Sequence, residues 1–249
     1  MTRSRQAVLN ILKNPLRTVS IAKVVLLWLR AYFEAQRKTD VSKAVIVETS
    51  LDDLVAMNEN AIYPYLFACP YIMYVVWNLL CKVSEKEYLA IDKAFTKLIK
   101  DSARIFISYP TKMRDRERLK HPLTLFTQTI DEPTNCYPSL HVSLVVFSYQ
   151  VLKNISDIDP LQLAAMRRSC VDICRSTMQT KQHSMIDVIG GVAIAKSIFL
   201  KFSKNPHEDF LEELLPELDK SLLETIKTTS DQTKDSGELL EKLLKLFSN

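Results

Sequence analysis

With 249 residues, 47% of them hydrophobic and 25% charged, the chain can bury a sizeable core. That balance and a net charge of only +4 exclude wholesale disorder and give no ground for nucleic-acid binding. Three glycines in the whole chain and no glycine-rich phosphate loop point to an all-α fold, without a glycine-loop nucleotide site.

In chain order, the first 33 residues carry six Lys/Arg and no Asp or Glu. They read as either a solvated surface helix or a basic amphipathic start held at an anionic membrane face. A helix is expected from Leu9 to about Phe33, with Pro15 allowing a break. A polar connection over Thr39 to Ser50 follows, with a short extended piece at Ala44 to Val47. Ala61 to Cys81 is the longest uncharged run, 21 residues, long enough to cross a bilayer or to form a central buried helix.

Further helices are expected over Ser84–Tyr109, Leu140–Leu152, Leu161–Met178 and Ser184–Phe202. The third and fifth of the six carry charges (Lys93, Lys97, Lys100, Arg104; Arg167, Arg168, Asp172, Arg175) that make them poor membrane spans. A mean hydropathy of −0.02 agrees. The expected division is a helical-bundle domain over 1–204 and a leucine-rich amphipathic helical tail over 205–249. The tail would pack on the bundle or dock a partner or membrane surface. Five cysteines (Cys69, Cys81, Cys136, Cys170, Cys174), odd in number and without C-x-x-C spacing, suggest neither a disulfide framework nor a zinc site.

Two segments carry chemistry. T-K-Q-H-S-M-I-D-V-I-G-G (Thr180 to Gly191) places His183 and Asp187 four residues apart, on one face if helical. A carboxylate there can fix an imidazole's tautomer and support the charge it gains on attack. N-C-Y-P-S-L-H (Asn135 to His141) places a second histidine at the opening of another apolar helix. Two histidines at two helix starts, with cations nearby, suggest one anion site built from distant segments. If six helices alternate up and down, both motifs and the end of the third helix fall at one end of the bundle.

Tyr137 to Ser143 (Y-P-S-L-H-V-S) and Ser176 to Gly191 resemble the second and third motifs of the type 2 phosphatidic acid phosphatase superfamily, in its inositol-phospholipid-synthase-like branch. The likeness spans roughly residues 50–202. It implies a six-helix lipid phosphate phosphatase bundle, and metal-independent phosphoester cleavage through a phosphohistidine, with no cofactor. His183 would be the nucleophile, Asp187 its orienting carboxylate, and His141 the general acid.

The substrate phosphate would be held by Lys112, Lys181, an arginine among Arg114, Arg116 and Arg118, and Ser139 at a helix start. Ser176 stands where the third motif usually opens with Ser-Arg, here Ser176-Thr177. Leu119-Lys120 stand where the first motif has Arg-Pro. The substrate class implied is a phospholipid or other phosphate ester, at or in a membrane, with a protein partner for the C-terminal helices as a further expectation. A phosphotransferase moving a headgroup to an acceptor alcohol, and an inactive phospholipid-binding relative, are the alternatives.

Overall fold

The computed structural model describes residues 15–114, 121–131, 133–155 and 158–202. The first fourteen residues, Arg116, Arg118 and the leucine-rich tail lie outside them. Within them the chain is all-α apart from one two-residue strand pair.

α1 (Pro15–Lys38) opens with a proline, tolerated where no intrahelical N–H partner exists. Its buried Arg17 donates to the Leu80 and Val83 carbonyls at 3.4 and 3.2 Å, and stacks on the Tyr88 ring 5.2 Å away. One guanidinium thus satisfies the carbonyl end of a later helix and ties α1 to the bundle. The extended piece expected near Ala44–Val47 forms as β1 (Val45–Ile46), parallel to β2 (Thr111–Lys112). α2 (Ser50–Asp53) is a single turn closed by a Thr49–Asp52 capping box.

The uncharged run is subdivided. A 3₁₀ turn (Glu59–Ala61), α3 (Ile62–Leu66) and α4 (Ala68–Lys82) follow one another, and the whole segment Glu59–Lys82 is long and apolar enough to cross a bilayer. Pro70 removes one N–H from the ladder just where α3 passes into α4. A Ser84–Glu87 capping box starts α5 (Glu85–Ser108), which buries Tyr88, Phe95, Leu98, Ile99, Ser102 and Phe106 along one face. Its lysines stay at the surface, and Lys97 pairs with Asp101 at 2.6 Å. A helix not expected from the sequence, α6 (Pro122–Ile130), presents Leu123, Leu125, Phe126 and Ile130 outward.

The centre is α7 (Leu140–Lys153), in which every residue from Val142 to Leu152 is buried. α8 (Pro160–Gln179) buries its second half, from Cys170 to Met178, while Arg167 and Arg168 lie on the outer half. Asp172 and Arg175, in the second half, are only partly exposed and pair with each other at 3.7 Å. α9 (Met185–Phe202) packs closely along α7. A Cβ on Gly191 would sit 2.7 Å from the Ser139 carbonyl oxygen, and one on Gly190 would run into the Tyr137 ring. Both glycines serve close approach rather than backbone freedom.

Candidate active site

α8 ends in a Schellman reversal. The Gln182 and His183 N–H groups both donate to the Thr177 carbonyl at 3.0 Å, and the Lys181 N–H donates to Met178 at 3.0 Å. Lys181 takes the left-handed position (φ 55°) usually given to glycine. The chain then turns directly into α9, where Ser184 and Asp187 cap one another. The Ser184 N–H donates to Asp187 Oδ2 at 2.8 Å, and the Asp187 N–H donates to Ser184 Oγ at 3.3 Å. Asp187 therefore has a structural task besides any catalytic one. His183 Nδ1 lies 3.6 Å from Asp187 Oδ2, an electrostatic contact rather than a hydrogen bond. His183 Nδ1 and Asp187 Oδ1 are both buried without a hydrogen-bond partner.

The start of α7 is fastened to the start of α9. Ser139 caps α7, its Oγ accepting from the Val142 N–H at 3.3 Å, and its own N–H donates to the Asp187 carbonyl at 2.9 Å. The segment leading to Ser139 hangs on Thr111, whose buried hydroxyl accepts from the Cys136 and Tyr137 N–H groups at 3.0 and 2.9 Å. Asn135 bends the chain with a left-handed backbone (φ 57°), and its Oδ1 accepts from Thr39 Oγ1 at 2.5 Å.

These attachments bring His141 and His183 to one cavity, with ring centroids 6.0 Å apart. Asp131, Thr134, Asn135 and Tyr32 complete much of its wall. Asn135 Nδ2 and Thr134 Oγ1 are buried there without partners. The Asp131 carboxylate accepts from the Tyr32 hydroxyl and, at 3.0 Å, from the Tyr65 hydroxyl. Tyr65 Oη in turn lies 3.5 Å from His141 Nδ1, their rings 4.7 Å apart. A carboxylate–phenol–imidazole chain results. Burial lowers the His141 pKa to about 4; Asp131 opposes that fall and His183 adds to it. The cavity is small, about 10 Å³, room for roughly one water.

The expected phosphate-holding residues are dispersed. Lys112 sits opposite the cavity residue Thr134 in a bridge. Arg114 is engaged by Asp53 at 3.2 Å and by Glu48 at 3.8 Å. Lys181 Nζ donates to the Asp52 and Val55 carbonyls at 3.0 and 2.7 Å, and burial lowers its pKa. Ser176 is wholly buried and donates to the Ile173 carbonyl at 2.6 Å. Ser139 lies beside the cavity residues Leu140 and His141, with its hydroxyl occupied by the cap. Arg116 and Arg118 fall outside the described residues.

Sequence reasoning missed Asp131, Tyr65, Tyr32, Thr134 and the hub at Thr111. Tyr65 stands in the uncharged run from Ala61 to Cys81, but nothing in its spacing marks it as the neighbour of a histidine 76 positions later. Among the described residues no cluster of three His, Cys, Asp or Glu side chains is grouped as a metal ion would need. Comparison with protein-family models, curated proteins and solved structures finds no match to this chain.

Proposed function

We propose that this chain transfers the phosphoryl group of a lipid phosphate to water through a phosphohistidine at His183, on a bundle of the lipid phosphate phosphatase type. The observation that carries the reading is the pair of imidazoles, from segments 42 positions apart in sequence, lining one cavity at 6.0 Å. A phosphorus within about 3–3.5 Å of one ring nitrogen, with a leaving oxygen hydrogen-bonded at about 2.6–3.2 Å to the other ring, needs about that span.

With Nδ1 turned to Asp187, Nε2 of His183 is the nitrogen left to attack. As the N–P bond forms the ester P–O bond breaks, and protonated His141 gives its proton to the departing alkoxide. Water then attacks phosphorus and yields a proton to the now neutral His141; the N–P bond breaks and inorganic phosphate leaves. Burial leaves His141 neutral in the free protein, so the ring takes up a proton from solvent as the substrate binds. A phosphate dianion beside the ring supplies the attraction, and the Asp131–Tyr65 chain supports the charge from behind. Asn135 Nδ2 and Thr134 Oγ1 are donors for the equatorial oxygens, and Lys112 is the candidate cation. The cavity must open to admit the group; partly exposed His141 is the side chain with room to turn.

A membrane setting is supported by the apolar Glu59–Lys82 segment and by outward Met73, Trp77, Phe126 and Val19. An inactive phospholipid-binding relative is the second reading, favoured by the absence of any Lys or Arg from the cavity wall among the described residues. Transfer to an acceptor alcohol instead of water follows the same first step. The deciding experiment measures phosphate release from phosphatidate, sphingosine phosphate and p-nitrophenyl phosphate in EDTA, by wild type and His183→Ala. Release in the first and none in the second is expected; equal release from a folded variant refutes the mechanism.

A further inference from the structure

A second cavity, about 260 Å³, lies among α1, α4 and α5. Its lining is hydrocarbon almost throughout, and its polar members are already engaged: the Tyr88 hydroxyl donates to the Arg17 carbonyl at 3.0 Å, and Asp92 accepts from Ser20 Oγ. The rest of the wall is apolar side chains, so the cavity selects for an apolar chain.

Its position relative to the histidines gives it meaning. Three helices each contribute to both cavities. On α1, Trp28 lines the apolar cavity and Tyr32 the polar one; on α7, Leu144 and Leu140; on α5, Ile99 and Phe106. Offsets of four, four and seven residues set the two cavities about 6–10 Å apart along the helix axes. A polar cavity with unpartnered donors and an apolar one behind it, on the same helices, match the two ends of an amphiphile.

We infer that the 260 Å³ cavity holds the hydrocarbon chain of a single-chain amphiphile whose phosphate occupies the His141–His183 cavity. This rests on the phosphoryl-transfer reading and names its substrate class: a one-tailed phosphate monoester rather than a headgroup alone.

The test uses the full chain with Trp77→Phe, which leaves Trp28, in the cavity wall, as the reporting indole. Butyl, hexyl, octyl and decyl phosphates brominated near the chain end are titrated by fluorescence quenching. Saturable quenching is expected, with the dissociation constant falling by up to about fourfold per methylene, the equivalent of ~0.8 kcal/mol each, until the cavity is full. Cys69→Phe and Val76→Phe, which add bulk from the rim and the wall, should lower the octyl-to-butyl affinity ratio at least tenfold. That ratio is internal to each variant, so partial unfolding does not imitate the effect.

A chain-length-independent constant, or the same ratio in wild type and both variants, overturns the inference. Parallel phosphate release separates the two readings. Release from p-nitrophenyl phosphate without chain-length dependence removes the hydrocarbon site and leaves the reaction. Chain-dependent quenching that inorganic phosphate does not compete, with no release from any ester, removes both the phosphoryl-transfer reading and the assignment of the head.

Discussion

Acidification should expose the burial of His141 directly. Its folded pKa, about 4, lies below the ordinary 6.5, so the unfolded chain binds this proton first as the pH falls. The stability associated with the neutral ring is fully present above pH 6.5. It declines between 6.5 and about 4, and is constant below. A gap of about 2.5 pH units, at about 1.4 kcal/mol each, gives about 3.5 kcal/mol. Because the ring keeps some solvent contact, this is an upper bound.

The perturbation is His141→Asn, which removes the titrating ring but keeps a polar side chain. Urea unfolding of both proteins at half-unit steps from pH 7.5 to 4 isolates the term, since other carboxylates titrate in each. The wild-type curve should fall toward the variant's by 2–3 kcal/mol as pH drops. Asp131 and His183 face the same ring and could reshape the curve only if their own protonation differed between the proteins. Parallel curves over the whole range would refute the claim that the ring is held neutral by burial.

Gly191→Ala should destabilise by roughly 1–3 kcal/mol in thermal or urea unfolding, because its Cβ meets the fixed Ser139 carbonyl at 2.7 Å. Gly190→Ala should cost less, since the obstacle is the Tyr137 side chain and alanine recovers about 1 kcal/mol of helix propensity. Lys181→Met should lower stability by about 1–2 kcal/mol through the two orphaned carbonyls of Asp52 and Val55, with unchanged affinity for inorganic phosphate. A phosphate-affinity loss at unchanged stability would instead return Lys181 to the clamp. Thr111→Val removes the hydroxyl that accepts from the Cys136 and Tyr137 N–H groups and should cost about 1–3 kcal/mol, with a matching loss of phosphate release. Intact stability would show that another acceptor takes its place.

Much of the helical layout was legible because its signals are local. Ser84 with Glu87 marks the start of α5, Asp159 before Pro160 that of α8, and apolar periodicity carries each to its end. α6 was missed because its nine residues, rich in threonine, follow a highly charged stretch of sequence and announce only a Pro122 start. In the uncharged run Pro64 and Pro70 announce a kink or a delayed start, and the junction falls between them at Phe67.

Legibility of the site divides the same way. His141, His183 and Asp187 stand at helix starts, where spacing fixes their faces. Lys181 shows why a motif position does not fix a contact. Its residue type fits a phosphate clamp, yet a left-handed backbone turns the ammonium onto carbonyls more than 120 positions away. Asp131 and Tyr65 reach His141 only through tertiary packing, which no local pattern encodes.

The fastening of Ser139 to Asp187 has a further consequence. One main-chain hydrogen bond and one glycine contact join the two helix starts into a single joint, so the spacing of the backbones that carry the two imidazoles is fixed. Replacing either histidine therefore removes a functional group without moving the backbone that carries its counterpart. Any gating of the cavity must come from side chains turning about fixed anchors, and kinetic losses at either position can be read as lost chemistry rather than as displaced geometry.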